Sequence, residues 1–312
     1  MASTLAMVVY FLVFPGFLFT AAVGLLTSWV DRKVSARVQW RVGPPWYQPF
    51  ADVLKLLGKE IVIPEGARRA GFLFAPVAGL AAVVVVSTLL WLTNIRGTGF
   101  VGDLIGVVYL LTIPSLGMII GASASSNPLA SVGASREMKL ILAYELPFVI
   151  AIMTAVTKVS PMTLRIEGIL EHQAVNGVML GSASGIIAFI VCILCAQAKL
   201  TYPPFDIPEA ETEIMDGTHI EYSGAILAVV KLTQAMMLFT LPVLFITLFW
   251  GGVDLTGVGI LWTILKYLAI VTVIVLIKNT NPRVKIDQAV RFFWGPVTLI
   301  AIVGMVLALL GL

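Results

Sequence analysis

The chain has 312 residues, of which 59% are hydrophobic and only 12% charged, against about 45–50% and about 25% in ordinary soluble domains. Surface-to-volume geometry cannot hide that much apolar surface inside one soluble globule, so the excess must face lipid. With two cysteines and a formal net charge of +3, the composition excludes a disulfide-stapled or disordered chain and gives no footprint for nucleic acid.

A bilayer core about 30 Å thick takes roughly 20 apolar residues per helix. Eight stretches meet that length, at about 3–29, 71–93, 104–122, 139–160, 178–200, 224–250, 258–278 and 293–311. Alternating strand patterning is absent. The expected fold is therefore an all-α integral membrane protein of about eight transmembrane helices, in a single domain over residues 1–312. Pro15, Pro76, Pro114, Pro147, Pro242 and Pro296 fall in six of these spans and predict kinks. The first apolar run exceeds a signal-peptide core and is read as a retained helix. Of the Lys and Arg residues, 15 lie in or at the edges of loops 30–70, 123–138, 199–223 and 278–292. The opposite loops hold only Arg96, Lys158 and Arg165. The positive-inside rule makes the first set cytoplasmic and puts both termini outside the cell (plasma) membrane.

In the first of these loops, Arg32, Lys33, Arg37 and Arg41 precede Gly43-Pro44-Pro45, which must end any helix. Arg37 and Arg41 are one turn apart and are expected on one face. Beyond the break, Phe50, Val53, Leu54, Leu57 and Gly58 form one stripe, with Asp52, Lys55 and Lys59 largely off it. That pattern predicts an amphipathic helix on the membrane surface or on a partner. The plainer reading is a basic loop that only sets orientation.

Three charged residues fall within spans: Glu145, Lys231 and Lys266. Each costs about 2.5–3.5 kcal/mol at a helix centre on insertion scales, so function is the default reading. A lysine can snorkel, and for Lys266 snorkelling or packing stands equally. Cys192 and Cys195 lie inside an apolar span with no basic neighbour and read as packing. Gly177, Gly181 and Gly185 form a small-residue stripe that predicts close helix approach. The loop at 199–223 carries Asp206, Glu209, Glu211, Glu213, Asp216 and Glu221, with Lys199 at its edge. Glu209 and Glu213 would repel on one helix face unless protonated, paired or solvated. This cluster reads as a docking face or a proton-relay entrance, against the alternative of a solvated acidic loop; His219 beside it gives no metal-ligand spacing. Composition alone fits a subunit of an ion pump, a free-standing secondary transporter, or a passive anchor.

Four motif groups narrow these readings. Asp31-Arg32-Lys33, Arg37, Gln39, Arg41-Val42-Gly43-Pro44, Gln48-Pro49, Asp52, Lys55-Leu56 and Lys59-Glu60 resemble the first-loop signature of the complex I membrane subunit that docks the peripheral arm. Ala143-Tyr144-Glu145 resembles its fourth-span carboxylate motif. Pro204-Phe205-Asp206, Glu209, Glu211, Glu213, Gly217 and Glu221-Tyr222-Ser223-Gly224 resemble its acidic loop, and Arg283, Asp287-Gln288 and Arg291 its last cytoplasmic loop. Asp31 stands where the complex I form usually has Glu, and Lys199 and Gln234 stand where it has carboxylates. With the compact Gly43-to-Pro49 turn, these departures resemble the counterpart in membrane-bound energy-converting [NiFe] hydrogenases and related ferredoxin-linked complexes.

The resemblance implies a non-catalytic membrane subunit that anchors a hydrophilic electron-transfer arm and couples its chemistry to proton or sodium translocation. A polysulfide-reducing or quinone-reducing relative would use the same role. It implies ion coupling at Glu145, Glu209, Glu211, Glu213, Glu221, Asp206, Lys199 and Lys231. Arm docking or charge pairing falls to Asp31, Arg32, Arg37, Arg41, Asp52, Arg283 and Asp287, with Arg32, Arg37, Arg41 and Arg283 as partners for the carboxylates. Implied partners are peripheral redox subunits with Fe–S clusters, antiporter-like membrane subunits and the lipid bilayer. No cofactor is expected in this chain; a NiFe centre would belong to a partner.

Overall fold

The computed structural model describes residues 4–312 as helices and short connections, with no strand among them. In chain order the α-helices are α1 Thr4–Leu12, α2 Phe17–Val38, α3 Gln48–Leu57, α4 Arg69–Arg96, α5 Asp103–Leu110, α6 Ile113–Ala124, α7 Pro128–Thr157, α8 Ile166–Asn176, α9 Ala183–Lys199, α10 Glu211–Ile214, α11 Gly224–Phe249, α12 Gly259–Thr280, α13 Ile286–Phe292 and α14 Thr298–Leu309. Seven helical stretches are long and apolar enough to cross a bilayer, and α9 is a shorter apolar helix of 17 residues. At 1.5 Å per residue it is about 25 Å long, at the lower limit for a span.

The prolines act unequally. Pro15 separates α1 from α2. Pro114 sits in the first turn of α6, where a missing N–H leaves nothing unsatisfied. Around Pro296 the last span widens into a π-helical turn over Phe293–Val297, and the Thr298 hydroxyl donates to the Phe293 carbonyl at 2.6 Å. Pro76, Pro147 and Pro242 stay inside continuous helices.

Several expected boundaries move. The loop expected at 123–138 shrinks to Ser125–Asn127, because Asn127 caps the Leu129 amide at 2.8 Å and Pro128 opens the 30-residue α7. A hydropathy window stops at Arg136, Glu137 and Lys139, but the helix does not. Likewise α13 starts at Ile286, inside the loop expected at 278–292. Helix α2 ends at Val38, and Trp40 turns into the left-handed region at φ 58°. Arg41 therefore lies beyond the helix and shares no face with Arg37.

The stripe on α3 is corrected too. Its buried side is Pro49 and Val53, with Phe50 and Leu56 packed against the cluster that Val53 forms with Leu25, Ala228 and Ala235. Leu54 and Leu57 are exposed. The Gly177–Gly181–Gly185 stripe makes no helix seam, since Gly177 and Gly181 lie before α9 with open space at their Cβ positions.

Helix α11 is the centre of the bundle, packed by α2, α3 and α4, and it is buried continuously from Ala235 to Phe249. Around it, α7 packs against α6, α9 and α14. Outward faces such as Leu261, Trp262 and Leu265 of α12 and Leu299 and Val303 of α14 are bare and apolar. This is the pattern of a bundle solvated by lipid. The segments at 39–68 and 200–223 lie between spans and are rich in charge, and we call theirs the charged end.

Candidate functional site

The segment between α9 and α11 folds back over the charged end. A 3₁₀ turn at Ile207–Glu209, the short α10 and a second 3₁₀ turn at Gly217–His219 place its acidic residues at different depths. Gly133 of α7 allows this approach: a Cβ there would lie 2.8 Å from the Thr218 amide.

At the deepest point is a cavity of about 50 Å³, lined among others by Ser115 of α6, Glu137 of α7, Lys199, Thr201, Glu209 and Gln234 of α11. A water needs roughly 10–15 Å³ of such space, so a few waters fit. The Glu209 carboxylate accepts from the Thr201 hydroxyl at 2.9 Å and from Gln234 Nε2 at 3.1 Å. His219 Nδ1 lies 3.5 Å from it. Glu137 is 3% exposed, and its Oε2 has no hydrogen-bond partner among the described residues. Lys199 is fully buried and donates to Glu145 at 2.5 Å, with its ammonium 5.1 Å and 5.0 Å from the ring centres of Tyr144 and Phe148. Those aromatic faces help to solvate the cation away from water.

The electrostatics suit proton binding. Burial pushes the Glu209 carboxyl up to about 7, although Lys231 and the Thr201 and Gln234 bonds act against it. Burial, reinforced by Lys231, holds the His219 imidazole down at about 3, so it is neutral, and neither of its nitrogens has a hydrogen-bond partner among the described residues. Burial also raises Asp216 and Asp206, against the opposing charges of Lys231 and Arg283 respectively. Glu209 thus titrates near neutral pH beside a cavity that can hold water and a second buried carboxyl.

Other carboxylates have cationic or amide partners. Arg283 pairs with Asp206 at 2.6 Å, Arg136 with Glu213 at 2.7 Å, and Asn127 Nδ2 donates to Glu221 at 2.5 Å. Lys278 holds the buried Asp31 at 2.8 Å, with Tyr202 beneath its ammonium. Arg32 pairs with Asp52 at 2.8 Å. Burial favours the neutral Asp52 carboxyl, but the Arg32 and Gln48 bonds outweigh it and hold the group below the usual carboxylate range.

The structure brings Glu145, Lys199 and Glu209 together. Glu211, Arg37, Arg41, Lys231 and Asp287 are exposed and form no ion pair among the described residues. Of the four arginines expected to pair, Arg32 and Arg283 do so, but with Asp52 and Asp206. Arg136, Lys199 and Lys278 are the cations that the sequence reading did not assign as partners, and Glu137 is the carboxylate it missed. The Asn127-Pro128 helix start was the available signal, because it puts Glu137 and Tyr144 seven residues apart on one face of a continuous helix. Lys266 is buried and donates to the Trp250 carbonyl at 2.7 Å, so it caps the far end of α11. No cluster of three or more His, Cys, Asp or Glu suited to a metal occurs among the described residues, and Cys192 and Cys195 are buried free thiols.

The NADH dehydrogenase family profile matches residues 8–309. An NADH-quinone oxidoreductase subunit from Geobacillus kaustophilus is 32% identical over 292 residues, covering 89% of this chain and 86% of the relative. The same subunit from Brevibacillus brevis is 32% identical over 314 residues, covering 96% and 92%. Among solved structures, a chain of the membrane-bound sulfane sulfur reductase, an archaeal respiratory membrane complex, superposes with a TM-score of 0.84 at 30% identity, covering 93% of this chain and 96% of that one.

Proposed function

This chain belongs to the NADH dehydrogenase family of membrane subunits, and on that premise we propose that it couples electron transfer in a docked hydrophilic arm to ion translocation. It is a membrane subunit of a respiratory-type oxidoreductase complex. We place its charged end in the cytoplasm and both termini outside, following the Lys and Arg distribution.

The observation that carries this reading is the series Glu209, cavity, Glu137, Lys199 and Glu145, buried at Glu137 and Lys199 and half-buried at its two ends. It runs from a surface loop to the fourth span and stops there. Beyond it, α11 has no charged residue between Lys231 and Asp254, and α7 none between Glu145 and Lys158. Charge can therefore enter from the cytoplasmic side and leave only sideways, toward neighbouring subunits. Such a dead-ended path suits a coupling element and argues against a free-standing transporter. A change in the charge of Glu209 or Glu145 on electron transfer would bias the adjoining ion-translocating subunits.

The exposed residues Arg37, Arg41, Trp46, Tyr47 and Glu211 are the docking surface in this reading. The electron carriers, Fe–S clusters and a NiFe centre, belong to partner subunits. Lys199 and Gln234, which replace carboxylates of the complex I form, favour the hydrogenase and sulfane-reductase branch over a quinone-reducing one. The direct test is ion translocation by the reconstituted complex with Glu145→Gln. Electron transfer should persist while the ions moved per electron fall at least tenfold. Full translocation in that variant would remove Glu145 from the path.

A further inference from the structure

Between α7 and the last span, at the charged end of both, lies an open cavity of about 360 Å³ lined by Lys139, Leu142, Asp287, Val290, Arg291 and Trp294. It is separate from the series above and shares no residue with the cavity at Glu209. Lys139 and Arg291 are exposed, and neither has an ion-pair partner among the described residues. Trp294 is 58% exposed, and its indole Nε1 donates to the Leu142 carbonyl at 3.2 Å, which fixes the ring across the two helices.

We propose that this cavity binds the headgroup of an anionic phospholipid. The phosphate sits between Lys139 and Arg291, and the acyl chains run down Leu142 and Leu146. Three observations support it independently of the coupling role. Lys139 is the last cation of α7 before its apolar run, and Arg291 is the last charge before that of the final span, so both stand at the membrane boundary. The face beyond them is exposed and apolar at Leu142, Leu146, Leu299 and Ile300, as acyl chains require. A tryptophan at the boundary is a headgroup-level anchor. The two cations and the Asp287 carboxylate give the lining one net positive charge. That matches a singly anionic lipid whose headgroup hydroxyls donate to Asp287. Basic pockets between membrane helices recognise anionic headgroups by this charge pairing.

The test is native mass spectrometry of the purified full chain in neutral detergent with phosphatidylglycerol, phosphatidylethanolamine or phosphatidylcholine. Phosphatidylglycerol should be retained about fivefold over phosphatidylcholine, as one net cation at a membrane surface predicts. Lys139→Gln with Arg291→Gln should erase that preference, whereas Lys59→Gln, an exposed lysine elsewhere, should keep it. If the double variant does not fold, each single glutamine variant should halve the preference at least, and Lys139→Arg should retain it. Equal retention of the three lipids, or a preference that survives the double change, would overturn the proposal. So would displacement by equimolar glycerol phosphate, which would make the site one for soluble phosphate. A photocrosslinker at Leu142 in the native complex should label lipid; labelling a neighbouring subunit instead would refute it.

Discussion

The two ends of the helical bundle use buried polar groups differently. At the far end, Gln173 of α8 donates to the Thr247 and Leu248 carbonyls at 3.0 and 3.2 Å and accepts from the Gly251 amide at 2.9 Å. Asn94 of α4 donates to the Leu90 carbonyl and the Thr247 hydroxyl and accepts from the Val253 amide, and Lys266 takes the Trp250 carbonyl. Gln173 and Lys266 are spent on backbone atoms that the end of α11 leaves unpaired, and Asn94 ties α4 to the Thr247 hydroxyl and to the Val253 amide beyond that end. At the charged end, Glu137, His219 and Asp206 each keep a buried atom without a partner among the described residues. A polar group bonded to backbone is fixed in place. One that faces a cavity can exchange a proton: Glu137 does so beside Glu209 at the charged end, whereas the far end, although Asp103 Oδ2 and His172 Nδ1 are unpartnered there too, seals the terminus of α11.

The largest expected effect breaks the responsive end. Lys199→Met leaves Glu145 without its cation and should cost roughly 3–5 kcal/mol of stability in thermal unfolding. The double variant with Glu145→Gln should recover most of that loss, and no recovery would mean the pair is not coupled. At the sealed end, Gln173→Ala should cost about 1–3 kcal/mol through the orphaned carbonyls. It should leave the ion-to-electron ratio of whatever assembles unchanged; a changed ratio would make this end part of the path.

A pH series sharpens the contrast. Glu209 binds its proton more tightly folded than unfolded, so its contribution to stability falls as pH rises from about 4.5 to about 7. His219 binds its proton less tightly when folded, so its contribution rises between about 3 and 6.5. Over the shared window the two oppose one another. Melting temperature should therefore rise with pH more steeply in Glu209→Gln than in the parent, and more weakly, or even fall, in His219→Gln. Parallel curves would show that these groups do not titrate as the burial demands. The smallest effect is at the surface: Arg32→Ala should lower stability by less than about 1 kcal/mol, because the Asp52 pair is solvent-exposed. A marked loss of arm association in the same variant would then report docking rather than folding.

Much of the fold was legible in the sequence because lipid imposes a one-dimensional rule. Apolar length finds the spans, and all eight expected stretches correspond to apolar helices, with α9 short. The candidate site was legible at Glu145, where charge stood out against an apolar background, and at Glu209 and Lys199 through the acidic loop and its edge. It was not legible at Glu137, because a hydropathy window reads a charged residue near a span end as loop. Partner choice was illegible for a different reason. Asp31 and Lys278 are 247 residues apart and Glu145 and Lys199 are 54 apart, so only the helix packing brings them together.

The sequence by itself determined the class of protein, the number of apolar stretches and the end at which charge collects. Each of these follows from the cost of placing a polar group in hydrocarbon, which acts residue by residue. Only the tertiary structure decided which carboxylates are buried, which are neutralised by a cation, and which face a water-sized cavity. Those outcomes depend on desolvation and on distances between helices, and neither quantity is a property of any single segment.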